Sequence, residues 1–202
     1  MKLVNRTDGF FVQQIRVFKW TDPSRKKGFF GKYCSDKKTL HVGCSDHPFP
    51  FNPNQSLHAE LYQCTKNLDG FDLNTQQFSA MAQAVPGNYY STMHELKEKA
   101  WDVCLIPETI EHVDNIKDFL KSVDENIDAP LFVITAPNAF GHQPGRFDNN
   151  CYTEIVHPDH KMWFSPYTLT NCIHQFLPSW NIKEIWLIEY DTMVAVVCEK
   201  GA

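Results

Sequence analysis

Glu108, Glu111 and His112 stand three and four residues apart behind an apolar run, in the stretch WDVCLIPETIEHV at 101–113. Two carboxylates and an imidazole in one turn could move a proton or hold a divalent cation. The run Val103, Cys104, Leu105, Ile106 is bounded by charge and reads as a short interior strand. Pro107 suits the first position of a helix, where its missing N–H costs nothing, so a helix is predicted to begin there. On that helix Glu108, Glu111 and His112 would share a face beside the strand's carboxyl end. In open α/β sheets, ligands bind at that end.

Two earlier stretches complete a candidate pocket. In TLHVGCSD, 39–46, a short strand ends at Gly43, which allows a tight turn and close approach of a ligand to the backbone. A dinucleotide site would show G-x-G-x-x-G with a helix N-terminus facing the pyrophosphate. Here one glycine is followed by Asp46, which would repel phosphate and argues against NAD or ATP. S-adenosylmethionine carries no phosphate, and its ammonium could pair with Asp46. In LDGFDLN, 68–74, Asp72 closes a second strand at the distance where an acid accepts ribose hydroxyls. Asp72 equally suits a helix N-cap, as acids in a first helical turn suit the macrodipole without catalysis.

These residues need an alternating scaffold to bring them together. Strands are predicted at Thr39 to Gly43, Leu68 to Leu73, Tyr89 to Thr92, Val103 to Ile106 and Leu131 to Thr135, with helices near Ser56 to Thr65, after Thr75 and after Pro107. The helix after Pro107 would bury Ile110, Val113, Ile116, Phe119, Leu120 and Val123. A long segment from Ala136 to Ser165 carries Phe140, Phe147, Tyr152, Trp163 and Phe164, too aromatic for a linker and better read as a packed lid. It offers His157 and His160. A helix follows at Pro166 to Phe176, then strands Ile182 to Glu189 and Met193 to Cys198, whose short connection demands an antiparallel pair. The alternation implies a doubly wound α/β fold, mainly parallel, with helices on both faces. Residues 1–20 carry weak signals for a helix or a strand. Residues 21–38, basic and punctuated by Gly and Pro, read as a solvated connector, and 1–38 is expected to be an N-terminal extension or connector packed on the core, with 39–202 the functional part of a single domain.

Composition narrows the partners. With 202 residues and 43% hydrophobic content, the chain suffices for one full core. A net charge of −5 argues against general nucleic-acid binding. The N-terminal MKLVNRTDGFFVQQIRVF lacks the apolar core of a signal peptide and no run reaches membrane-spanning length, so a cytoplasmic location without membrane contact is expected. Seven scattered cysteines without a Cys-x-x-Cys pair fit reduced thiols in that compartment. His41, His47, His94, His142 and His174 read as structural or solvated. Oligomeric state is open.

From about Thr39 to the C-terminus the chain resembles the class I S-adenosylmethionine-dependent methyltransferases. TLHVGCSD stands at the family's glycine-rich first motif, GFDLN at its ribose-binding acid, WDVCLIPETIEHV at its fourth strand and LFVITAPNAF at its fifth. PETIEHV followed by HPDHKMWFSPYTL, 157–169, resembles a subgroup often found among glycan-biosynthesis proteins. The resemblance implies a Rossmann-like, seven-stranded sheet with an antiparallel last strand. It implies that Gly43, Cys44 and Asp46 meet the methionine moiety, Asp72 and Leu73 the ribose side, Met93 and His94 the adenine, and Ile106 to Glu108 the pocket wall. It implies transfer of an activated methyl group to an acceptor whose proton goes to His112, His157 or His160, with Glu111 beside them. In small-RNA 2′-O-methyltransferases a Glu-x-x-Glu-His set with a later histidine binds a divalent metal. By that likeness Glu108, Glu111, His112 and His157 would hold Mg2+ or Mn2+, which would lower the acceptor hydroxyl's pKa. The chain departs from the family at His41, where an acid is usual, near Ser45 or His47, where a second glycine is usual, and at Met93, which replaces the acid after the third strand.

The expected activity is O-methylation of a sugar or other small polar metabolite. Three alternatives share features with it: an RNA 2′-O-methyltransferase with the same Glu-x-x-Glu-His set, a nicotinamide oxidoreductase with the same sheet, and a catalytically silent binding or scaffold protein, suggested by the worn first motif.

Overall fold

The computed structural model describes residues 15–46, 49–141, 147–148, 153–154 and 157–201. Alternating strands and helices run in chain order as β1 (Phe18–Lys19), α1 (Arg25–Cys34), β2 (Lys38–Val42), α2 (Leu57–Tyr62), β3 (Asn67–Phe71), α3 (Phe78–Ala84), β4 (Tyr89–Tyr90), a 3-10 turn (Met93–Leu96), β5 (Val103–Ile106), α4 (Ile116–Asn126) and β6 (Leu131–Pro137). A two-stranded ribbon, β7 (Phe147–Asp148) and β8 (Thr153–Glu154), precedes α5 (Pro166–Phe176), β9 (Asn181–Ile188) and β10 (Met193–Glu199).

The main sheet has the order β4-β3-β2-β5-β6-β10-β9-β1. Neighbours pair in parallel except β10, which runs antiparallel to both β6 and β9, as the short closing connection requires. Strand order reverses at β2, whose neighbours are β3 and β5, so a crevice opens between their carboxyl ends. Alternation along β5 sends Cys104 and Ile106 to the face covered by α4 and α5, and Val103 and Leu105 to the face covered by α1 and α2.

The N-terminal part differs from expectation. Among the described residues the sheet has eight strands rather than seven, because Phe18–Lys19 adds a parallel edge strand to β9. Residues 25–34 are not a solvated connector but a helix, burying Phe29, Phe30, Tyr33 and Cys34. Their spacing marks one helical face, and Trp20 and Trp186 meet Phe29 there edge-on. The helix predicted at Pro107 also differs: residues 107–115 form turns and α4 begins at Ile116, with the Asn115 side chain accepting the Asp118 N–H at 3.2 Å.

A buried polar chain links the sheet to α2. His41 Nδ1 and His58 Nδ1 lie 3.1 Å apart, and His58 Nε2 meets the Tyr89 hydroxyl at 3.1 Å, which donates to the Val85 carbonyl. Burial pushes His58 down from 6.5 to about 4 and His41 well below its usual value. Both are neutral in the fold and would gain a proton on unfolding below pH 6.5. Stability is therefore complete above that pH and declines as pH falls, by about 1.4 kcal/mol per pH unit for each ring. Ring-proton resonances of both histidines should stay untitrated down to pH 5 in the folded protein, whereas titration of either near 6.5 would refute the buried chain.

Candidate functional site

Three turns meet at the crevice. After β2, Gly43 takes φ +75, a left-handed conformation suited to glycine. The Gly43 and Cys44 N–H groups donate to the Phe71 carbonyl at 2.8 and 3.3 Å, tying this turn to the end of β3. Asp72 then receives the Ser45 N–H at 2.9 Å on one oxygen and the Asn74 N–H at 2.8 Å on the other. The close approach that Gly43 permits is made by Thr109: a Cβ on Gly43 would fall 2.2 Å from the Thr109 hydroxyl, which donates toward the Val42 and Pro107 carbonyls.

After β5, Glu108 sits at φ +44, turned by its N–H bonding the Thr135 carbonyl of β6 at 3.1 Å. Its carboxylate pairs with Lys26 from the first turn of α1. Glu189, at the end of β9, fixes that turn by accepting from the Lys26 N–H at 2.6 Å and from Arg25. Asp46, still in contact with solvent, has a carboxyl held above its ordinary value, first by lost hydration and then by the Glu108 charge, with Lys26 opposing and Asp72 adding. Asp46, Asp72 and Glu108 therefore form an acidic crevice, and among the described residues Lys26 is the cation that pairs with Glu108 there.

Glu111 is fully buried, and neither carboxylate oxygen has a hydrogen-bond partner among the described residues. Burial pushes its pKa from 4.5 up to about 8, with the Glu108 charge adding. Between those values the folded chain holds a proton that the unfolded chain has lost, so stability falls as pH rises through the window, by about 1.4 kcal/mol per pH unit. Glu111→Gln should match the natural chain near pH 4.5 and exceed it by about 3 kcal/mol at pH 7, in urea unfolding with excess chelator. A difference independent of pH would mean that Glu111 ionises normally in the fold.

Beside Glu111 three imidazoles converge. His112, His157 and His160 each offer a ring nitrogen within 4.8 Å of the others, forming a candidate cation site. The lid segment is pinned there: Lys161 N–H donates to the Glu111 carbonyl at 2.9 Å, Lys161 pairs with Asp114, and Trp163 packs edge-on against His160. Burial, then the His157 charge, lowers the His112 pKa, so this ring is neutral near pH 7 and able to take a proton or a metal. Glu108 and Glu111 lie outside this three-histidine group, so the Glu108, Glu111, His112, His157 ligand set is not assembled as one.

The remaining residues fall into distinct places. Leu73 is 81% exposed beside Asp72, an apolar side chain open to a flat ligand. Met93 is half-buried and His94 exposed on the 3-10 turn. Cys44 is buried against Gly70, and Ile106 lies in the core, so neither side chain lines an open pocket; their backbone atoms remain at the strand ends. In the lid, Phe164 is buried and Phe140 exposed, whereas Tyr152 lies outside the described residues, as do His47 and His142. Lys26, Thr109 and His58 escaped sequence reasoning. The signal for Lys26 was available, since Phe29, Phe30, Tyr33 and Cys34 repeat at helical spacing behind it.

No protein-family model matches the sequence, and no curated protein matches it. Solved structures do match. An S-adenosylmethionine-dependent methyltransferase from Mesorhizobium loti is 11% identical, with a TM-score of 0.56 over 83% of this chain and 93% of that one. The small RNA methyltransferase HEN1 is 13% identical, with a TM-score of 0.64 over 95% of this chain, which spans only 27% of that protein. Magnesium protoporphyrin IX methyltransferase from Synechocystis, with bound SAH, is 10% identical, with a TM-score of 0.55 over 83% of this chain and 75% of that one. At such identities the likeness establishes the fold alone: a mostly parallel, Rossmann-like sheet that this chain shares with those structures.

Proposed function

We propose that this chain is an S-adenosylmethionine-dependent methyltransferase acting on a hydroxyl of a sugar or other small polar metabolite. The observation that carries the reading is an acidic crevice at the sheet's reversal point, with a histidine cluster beside it. Asp46, Asp72 and Glu108 suit an ammonium, a sulfonium and ribose hydroxyls, and oppose the phosphates of NAD or ATP. Asp72 is anchored by two N–H donors at the carboxyl end of β3, where an acid meets ribose hydroxyls, and Leu73 covers the adenosine side. Bound there, S-adenosylmethionine supplies a methyl group already activated on sulfur.

The chain then positions the acceptor and removes its proton. His112, neutral near pH 7, takes the hydroxyl proton, with His157 and His160 orienting the acceptor from the lid. The three rings also fit a divalent cation, which needs neutral imidazoles. A divalent transition metal that accepts imidazole ligands would lower the hydroxyl's pKa if held there, whereas Mg2+, which takes oxygen ligands, does not fit three imidazoles alone. In this reading the functional unit is residues 39–202 together with β1 and α1, whose Lys26 pairs with Glu108, with a small-molecule or glycan acceptor, no membrane or nucleic-acid partner and a cytoplasmic setting.

A second reading, 2′-O-methylation of RNA, draws on the Glu-x-x-Glu-His stretch and the likeness to HEN1. The net charge of −5 weighs against it. Radiolabelled methyl transfer from S-adenosylmethionine to a panel of sugars, nucleotide-linked sugars and short RNAs, with and without chelator, separates the two. Label on RNA alone would overturn the small-acceptor reading, and activity unchanged in excess chelator would remove the metal.

A further inference from the structure

Away from the crevice, two thiols face each other. Cys34 ends α1, Cys64 follows α2 by two residues, and their Sγ atoms are 3.7 Å apart. Backbone pairing holds these chain ends together: the Asp36 N–H donates to the Cys64 carbonyl at 3.2 Å, the Lys66 N–H to the Lys37 carbonyl at 3.1 Å, and Ser35 bridges Thr65. A disulfide bond is about 2 Å long, so closure asks for less than about 2 Å of movement shared by two side chains.

We propose that Cys34 and Cys64 form a reversible oxidation site, in which a hydroperoxide converts the facing thiols to an intramolecular disulfide joining α1 to the chain beyond α2. The two sulfurs take different parts. Cys34 is wholly buried, while Cys64 reaches solvent. The two thiols share one contact in which either can donate, and that contact together with the Lys27 charge brings Cys64 down to about 7 against the effect of burial. The same contact and burial hold Cys34 well above the ordinary range, as a protonated thiol. Cys64 is thus the thiolate that meets the oxidant and Cys34 the resolving thiol.

In the first step the Cys64 sulfur attacks one peroxide oxygen, the O–O bond breaks, hydroxide leaves and Cys64 becomes a sulfenic acid. In the second, the Cys34 sulfur attacks the Cys64 sulfur, the S–O bond breaks, and the departing hydroxide takes the Cys34 proton as water. Two thiols lose two electrons, and the peroxide is reduced to water. The other described cysteines do not compete, because burial raises the thiols of Cys44, Cys104, Cys172 and Cys198. The crosslink would hold the far end of the helix whose first turn seats Lys26 on Glu108.

The test is mild hydrogen peroxide treatment of the folded protein, alkylation after denaturation, and unreduced peptide mapping by mass spectrometry. The expected result is a Cys34–Cys64 linked peptide, loss of two of the seven alkylatable thiols, and their recovery with dithiothreitol. The oxidation rate should rise through about pH 7, and the melting temperature by about 5–10 °C. Cys64→Ser should abolish the linked peptide. Cys64 found as a sulfinic acid with Cys34 still alkylatable, or a crosslink elsewhere, would overturn the proposal. The mapping of the natural chain decides this even if a Cys34 variant fails to fold.

Discussion

Asp72→Ala is expected to weaken S-adenosylmethionine binding by ~100-fold or more. A carboxylate accepting two ribose hydroxyls makes two charge-assisted hydrogen bonds, each worth about 1.5–3 kcal/mol. Losing both therefore removes at least about 3 kcal/mol, a factor of ~100 in affinity. Asp72 also receives the Ser45 and Asn74 N–H groups, so the substitution loosens the turn after β2 as well. Calorimetry should accordingly be paired with circular dichroism and a melting curve. A folded Asp72→Ala protein with unchanged affinity would contradict the ribose assignment.

The second large effect concerns His112. His112→Ala should lower turnover by about 10²–10⁴-fold, the usual contribution of a positioned general base, while leaving the affinity for S-adenosylhomocysteine nearly unchanged. The companion substitutions His157→Ala and His160→Ala distinguish the two ways the cluster can work. If the rings hold a cation, all three variants lose activity together and added Mn2+ partly restores the weakest. If His112 acts alone as the base, the two lid variants change KM more than kcat. The pH profile of kcat/KM should lose its acid limb in His112→Ala, since that limb reports protonation of the free enzyme's base. Full turnover in His112→Ala would contradict both schemes.

Much of the fold was legible because its signals are local. Val103–Ile106 is an apolar run between charges, and it is a buried interior strand. Ser165 followed by Pro166 announced α5: its side chain caps the Thr168 N–H and proline fills the first turn. The closing β9–β10 pair followed from chain length alone, because so short a connection allows only an antiparallel return. Pro107 misled for a physical reason. Its preference for a helix start is also satisfied by a turn, and Glu108 is drawn into a left-handed conformation by Thr135, a residue 27 positions away. The true helix start at Asn115 carried its own cap signal. In α1, two glycines and a cluster of basic residues masked a helical face of aromatics.

At the candidate site, Gly43, Asp46 and Asp72 could be read in order because each follows a strand at a fixed offset. His157 and His160 were visible as polar residues in an aromatic lid, and the structure sets them against His112. Lys26 was not readable as a partner of Glu108, since the two are 82 residues apart and meet only through the packing of α1. Glu111 was legible as an acid, but its carboxylate stays outside the three-histidine group, in the turn that replaces the predicted helix.

The most direct test of the account is an amide-resonance titration of the isotope-labelled protein with S-adenosylhomocysteine. The account predicts saturable shifts centred on Gly43 to Asp46, Asp72 to Asn74, Met93 and His94, and Glu108, with an equal titration of NAD producing none. An absence of shifts with S-adenosylhomocysteine, or shifts confined to the opposite end of the sheet, would contradict it.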